Sequence, residues 1–283
     1  MKLLAIIEET FREARARKTL IGFFIFSSLM ILVALLVFNM DIVQQNLHKQ
    51  AFQGKVHAPK NIDTASLLTA TILDYVWVVI AALLFFITIC VGIFSTAGLI
   101  TSIMEKGTID LMLSKPVPRW LYIVGRYLGA VLIMTLEVGY FVLGLWVVVG
   151  ITTGSWSGLM LVSIPYIVLG FAGLYSVVVL IGVLTRSSWL AIILGFVIYF
   201  ISGLLLPLGT WLDKTINGEG STGVFGTVAT IVHSIIPQLN DLSSNMGKVI
   251  LAGSVDWTPI LMTTLMIVVY LALSSFSFSK KEF

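Results

Sequence analysis

Charge is scarce in this chain. Only 11% of its 283 residues are Asp, Glu, Lys or Arg, where a soluble domain carries about 25%. That excludes a soluble enzyme, a disordered protein and a basic nucleic-acid binder. Cysteine is nearly absent: Cys90 stands alone inside an apolar run, so there is no disulfide framework and no cysteine zinc site. The three histidines, His48, His57 and His233, fall in expected loops, which argues against a haem or redox relay inside the membrane. No Gly-x4-Gly-Lys-Ser/Thr loop, His-Glu-x-x-His run or Gly-x-Ser-x-Gly elbow occurs. If ATP is used, another chain must bind it.

What is present is apolar length. Hydrophobic types make up 58% and mean hydropathy is +1.03. A helix needs about 20 apolar residues to cross about 30 Å of hydrocarbon. Six runs qualify, at about 19–38, 75–104, 121–149, 159–184, 189–208 and 259–276. The expected fold is an all-α integral membrane protein, with residues 19–283 a single six-span domain. No internal repeat is visible.

With six spans both termini share a side. That side carries Lys2, Arg12, Arg15, Arg17 and Lys18, then Lys106, Lys115, Arg119 and Arg126, then Arg186, Lys280 and Lys281. The opposite side holds Lys49, Lys55, Lys60, Lys214 and Lys248. The positive-inside rule places both termini in the cytoplasm.

Residues 1–18 read as an amphipathic interfacial helix rather than a cleavable signal. Leu3, Leu4, Ile6, Ile7, Phe11 and Ala14 share one side; Glu8/Arg12 and Glu13/Arg17 are i,i+4 pairs on the other. The external segment 209–258 opens on a Gly-rich turn and contains Val224–Ile236, too short to span. That stretch is expected to re-enter or lie on the outer leaflet.

The segment between spans two and three is the most informative. Thr108 can cap a short helix over 109–114, and Asp110 suits its positive end. Ile109, Met112 and Leu113 give an apolar ridge; Lys115 follows, and Pro116 and Pro118 stop the helix. Arg119 and Arg126 bracket the re-entry into lipid. A capped helix with apolar knobs between two long spans is a lever.

These residues resemble a family. Glu105-x-Gly107-Thr108-Ile109-x-x-x-Leu113-Ser114-Lys115-Pro116-x-x-Arg119, with Gly125-Arg-Tyr-Leu-Gly129 after it, is similar to the permease subunit of type-2 ABC exporters. Within them it is nearest the branch associated with multicopper-enzyme maturation. His233-Ser-Ile-Ile-Pro-Gln-Leu-Asn-Asp241 resembles the family's external leucine-leucine-proline-asparagine-leucine stretch, with Gln238 where Asn is usual.

The resemblance implies an N-terminal interfacial helix, six spans with both ends inside, a coupling helix at about 105–119, and short external helices between spans five and six. It implies a prokaryotic plasma (inner) membrane protein that is not itself an enzyme. Two permease copies, or close homologues, pair with two separately encoded ATP-binding subunits. ATP and Mg then act only through those partners; no cofactor or metal binds the permease directly. Glu105, Lys106, Gly107, Thr108, Ile109, Asp110, Leu113 and Ser114 contact the ATPase on this reading. Lys115, Pro116 and Arg119 fix the helix's exit angle. A rival class is a non-transporting membrane module, a scaffold or sensor driven by an ATPase. An ion-coupled transporter would need more buried ionisable groups and repeated halves.

Glu137 is the one acid deep in an expected span. It lies eleven residues past Arg126, about 16 Å along the axis. An ionised side chain there costs at least about 2.5 kcal/mol. Arg126, Ala130, Ile133, Glu137, Tyr140 and Gly144 are expected to share a face. Glu137, with Tyr140, either lines a translocation path or, as a structural glutamate, holds spans together. Gly125 and Gly129 form a small-xxx-small pair suited to close span packing.

Overall fold

A computed structural model describes residues 2–16, 18–39, 64–101, 118–153, 156–217 and 223–280. Among them there are helices and turns and no strand. In chain order these are α1 (Lys2–Ala16), α2 (Thr19–Asn39), α3 (Thr64–Thr101), α4 (Arg119–Thr153), a 3-10 turn (Gly158–Val162) and α5 (Ser163–Thr185). Then follow α6 (Ser188–Asn217), α7 (Val224–Ile235), α8 (Leu239–Ala252) and α9 (Trp257–Ser279). Five segments among the described residues are long and apolar enough to cross a membrane: 78–96, 120–152, 158–185, 188–216 and 257–279. α1 and α2 meet at 66° and qualify together as a sixth.

Two helices overrun the expected spans. α3 begins at Thr64 rather than near Tyr75. Its first turns, Thr-Ala-Ser-Leu-Leu-Thr-Ala-Thr-Ile-Leu-Asp, are helix-compatible but less apolar than the run that follows. Hydropathy marks the part of a helix that suits lipid, not the whole helix. α6 runs past Leu208 to Asn217, through Pro207. Proline forgoes the backbone bond to the Gly203 carbonyl; three residues on, the Thr210 hydroxyl is shared between the carbonyls of Leu206 and Pro207, each at 3.0 Å.

α5 is the axle. Gly170 to Val179 are all buried, and α3, α4, α6 and α9 pack around it. In lipid the hydrophobic effect does not drive helices together, so close packing and interhelical hydrogen bonds must. Both are visible. The Phe171 ring lies over Gly92 and the Phe85 ring over Gly170; a Cβ on either glycine would come within 2.9 and 2.6 Å of those rings. Tyr175 stacks between Phe171 and Tyr127, with centroids 5.2 and 5.7 Å apart. Its hydroxyl donates to the Thr96 carbonyl at 3.2 Å, and the Tyr127 hydroxyl to the Ala172 carbonyl at 2.9 Å. Three spans are thereby stitched at one level.

The α5–α6 link is only Arg186-Ser187. Arg186 turns the chain with a left-handed φ of 56°, its N–H donating to the Gly182 carbonyl at 2.9 Å. The Ser187 hydroxyl then accepts from the Leu190 N–H at 3.4 Å. In contrast to α5, α6 and α9 expose long apolar faces, among them Ile193, Phe200, Leu204, Leu261, Leu265 and Val268.

Candidate functional site

Arg126 sits two turns into α4 with only 2% of its side chain exposed. A buried guanidinium is expensive unless paired and hydrogen-bonded. α1 supplies the partners. Glu9 and Glu13 lie one turn apart on it and face α4. Arg126 Nη1 donates to Glu13 Oε2; Nη2 donates to the Tyr122 hydroxyl at 2.9 Å and reaches Glu9 Oε1 at 3.5 Å. The Tyr122 hydroxyl donates to Glu9 Oε1 at 3.3 Å. Both carboxylates keep contact with solvent, Glu13 at 21% and Glu9 at 50% exposure.

Sterics complete this lock. Gly125 and Gly129 leave a shallow groove on α4, filled by Ile6 and Thr10 of α1. The Thr10 hydroxyl satisfies itself on the Ile6 carbonyl at 2.8 Å and leaves its methyl for packing. The glycine pair therefore packs against α1, not against another span. An added Cβ would sit 2.8 Å from Ile6 at position 125 and 2.8 Å from Thr10 at position 129. Gly129→Leu is expected to prise α1 from α4 and cost about 1–3 kcal/mol as overpacking. Urea unfolding in nanodiscs measures it, and an unchanged midpoint would reject this contact.

The residues of α1 thus differ from the expected pattern. Its buried stripe is Ile6, Thr10 and Ala14, while Leu4 is 69% exposed. Glu8 and Arg12 pair as expected, at 2.6 Å. That pair is exposed on both sides, which limits its worth to well under 1 kcal/mol. Glu13 pairs across helices with Arg126; its expected partner Arg17 lies outside the described residues. Two acids one turn apart on α1, opposite one arginine inside an apolar run, were the available sequence signal.

Glu137 is 1% exposed, and neither carboxylate oxygen has a partner among the described residues. Arg126, Ala130, Ile133 and Glu137 are all buried. Tyr140 does not continue that burial. It is 42% exposed, shares a 2.8 Å hydrogen bond with Ser28 and meets Phe24 edge-on. Gly144 packs under Ile31. The expected single face therefore divides: α1 covers one end, while Tyr140 and Gly144 form a seam with α2. Gly144 stands about five whole turns past Arg126, so it keeps the Arg126 side of α4. The neighbour changes along the helix instead: α1 packs on α4 at Gly125, Arg126 and Gly129, and α2 at Tyr140 and Gly144.

Of the expected coupling residues, Glu105, Lys106, Gly107, Thr108, Ile109, Asp110, Leu113, Ser114, Lys115 and Pro116 lie outside the described residues. Arg119 is the first residue of α4.

At α7–α9 the polar side chains act as clasps. Asp213, 3% exposed, caps α7: its Oδ2 accepts from the N–H groups of Gly223 and Gly226 at 3.0 and 2.5 Å. His233 Nε2 lies 2.8 Å from Asp241 Oδ2, tying the end of α7 to α8. The Tyr270 hydroxyl of α9 donates to the Ile235 carbonyl at 2.6 Å. Asn245 holds the Asp256 backbone through both its amide atoms, and Asp256 caps α9 through the Thr258 N–H at 3.1 Å. The stretch 233–241 is thus the joint between three helices. Sequence reading placed it but not these partners. No group of three or more His, Cys, Asp or Glu among the described residues could hold a metal ion.

A helical bundle with several apolar helices of lipid-spanning length defines a multi-pass membrane protein. The family described as ABC-2 family transporter protein matches residues 4–283, and the chain belongs to it. It is a permease subunit of an ABC transporter, a membrane component whose family works with an ATP-binding ABC partner. No curated protein matches the chain.

Proposed function

We propose that this permease is an exporter subunit, working as a dimer with two ATP-binding subunits in the inner membrane of a prokaryote. α2 is the first of six spans and both termini face the cytoplasm. Residues 105–119 form the coupling helix that the ATPase moves. ATP and Mg act on the partner, and the permease performs no chemistry of its own.

The observation that carries this reading is the Arg126 lock. α4 starts at Arg119, directly after the proposed coupling segment, and Arg126 bolts α1 to it within two turns. A push on the segment enters α4 and α1 as one body. Through α1 it reaches α2, which packs along α4 by Ser28–Tyr140 and Ile31–Gly144. Glu137 lies on the same α4, so the stroke passes the buried acid. On this reading Glu137 belongs to the translocation path, and Tyr140 acts at the moving seam.

The test is co-purification with the ATP-binding subunit. Ile109→Asp and Leu113→Asp place a charge on the apolar ridge meant for the ATPase cleft. The expected result is loss of the complex and at least a tenfold fall in permease-dependent ATPase activity. An intact, fully active complex carrying both changes rejects the coupling assignment.

A further inference from the structure

Two helices carry their own depth marks. Exposed tryptophans gather at membrane edges, and the hydrocarbon between the edges is about 30 Å thick. On α6 the exposed Trp189 and Trp211 stand about 33 Å apart. On α9 the exposed Trp257 stands about 34 Å from Lys280. Asn240, in the first turn of α8, packs against Gly203, about 12 Å inside Trp211 along α6. Pro237 and Thr263 both lie against Gly173, and Thr263 is about 9 Å inside Trp257 along α9. The turn between α7 and α8 therefore sits about 10 Å inside the membrane. From there α8 climbs upright. Ile93 of α3 lies beside Gly195 of α6. From that level Gly203 is about 12 Å up α6, and Val78 is about 22 Å up α3. Asn240 touches the first and Gly247 the second, and the helix between those two residues rises about 10 Å. The match means that α8 runs along the bundle, so its exposed face looks sideways.

The two legs of this hairpin differ in what they expose. α7 shows Val224, Val228, Ile231 and Ile235, which suit lipid. α8 shows Asn240, Ser244 and Lys248, one per turn, with Asp241 beside them at 40% exposure. The apolar side of α8, with Leu242, Met246, Val249 and Ile250, is buried. Polar and charged side chains at membrane depth face a bundle interior or water, not lipid. The turn makes the same demand. Ile236 and Gln238 have non-helical backbone, which at such depth is tolerated only inside protein or beside a water-filled space.

We propose that Asn240, Asp241 and Ser244 line a water-filled vestibule beside α8. It opens at the membrane edge near Lys248 and ends at the hairpin tip, about 10 Å inside. A second copy of the chain forms its far wall, so the inference rests on the dimer reading for that wall. The arrangement accounts for each polar group. Lys248 keeps its ammonium in water at the rim. His233 holds Asp241 from behind at 2.8 Å while that side chain stays accessible. Asn240 and Ser244 find hydrogen-bond partners in water. The vestibule admits small water-soluble molecules and ions. An acyl chain finds no apolar wall on this face of α8.

The test reads water access through single cysteines. Cys90 is the chain's one cysteine, so Cys90→Ser gives a clean background. On it, Asn240→Cys and Ser244→Cys are compared with Leu204→Cys and Leu265→Cys, which replace exposed apolar residues at similar depth on α6 and α9. The probe is a methanethiosulfonate with a fixed positive charge, added to the purified chain in nanodiscs. Both bilayer faces are open to it there, so the result does not depend on which side is cytoplasmic. Loss of ATPase coupling leaves the readout unaffected. The thiolate is the reacting form, and an apolar setting suppresses it. Asn240→Cys and Ser244→Cys are expected to react at least tenfold faster than Leu204→Cys and Leu265→Cys. Reaction at both α8 positions as slow as at the lipid-facing pair overturns the proposal, for lipid or protein then covers that face. Equally fast reaction at all four overturns it as well, since the hairpin then stands outside the membrane. A folded Asn240→Cys that reacts slowly beside a fast Ser244→Cys also overturns it, because the water then stops short of the tip. If Asn240→Cys fails to fold, Ser244→Cys against the lipid-facing pair decides.

Discussion

Glu13→Ala is expected to destabilise the protein by about 3 kcal/mol, and Arg126→Met by clearly less. The ion pair is one, yet its two halves are not equivalent. Arg126 is almost fully enclosed, while Glu13 and Glu9 touch solvent. Removing Glu13 leaves a buried guanidinium with a distant Glu9 and the Tyr122 hydroxyl, and an uncompensated buried charge carries the larger penalty. Removing Arg126 instead leaves two acids that water can reach, and a methionine chain of similar length to fill the slot over Ile6 and Thr10. The double variant Glu13→Ala with Arg126→Met should recover most of the loss, because no buried charge remains. Urea unfolding of all four forms in nanodiscs gives the cycle, with a coupling energy of about 1–3 kcal/mol expected. Additive losses would mean that Glu13 and Arg126 do not share an interaction. Permease-stimulated ATPase activity should fall in both single variants, since α1 no longer moves with α4.

That cluster marks the limit of what the sequence discloses. Scarce charge and long apolar runs announce a membrane protein, because lipid demands a plain local pattern. The coupling segment and the motif at 233–241 are local patterns too, which is why they carry the family resemblance. Arg126 belongs to a non-local pattern. Counted along the chain it is one more cation at a membrane edge, useful for orientation. Its acidic partners lie more than a hundred residues earlier, and Glu13 has a local candidate partner in Arg17. Local i,i+4 rules point only to the near pair; the distant one comes from burial, which no local spacing encodes. Gly125 and Gly129 show the same limit: their spacing declares a close approach but not which helix approaches. The ends of α3 and α6 were missed for another reason, since hydropathy reports lipid contact and both helices extend beyond their most apolar stretch.

Glu137→Leu is expected to make the protein more stable and to abolish its function. Two buried carboxylate oxygens without a partner among the described residues are a standing cost, about 1–3 kcal/mol for an unsatisfied buried polar group. Leucine has nearly the same helix propensity and similar bulk, and it carries no polar atom. If Glu137 tied spans together, as a structural glutamate does, its loss would leave donors unpaired and lower stability. The opposite sign separates the two roles in one unfolding measurement. A gain of about 1 kcal/mol or more, with a tenfold or greater loss of transport in vesicles loaded with ATP-binding partner, assigns Glu137 to the path. Proteins tolerate such local costs where a site needs them. Glu137→Gln should fall between: similar shape, no charge, and polar atoms still to satisfy. A leucine variant that is less stable, or one that transports as well as the unmodified chain, returns Glu137 to the architecture of the bundle.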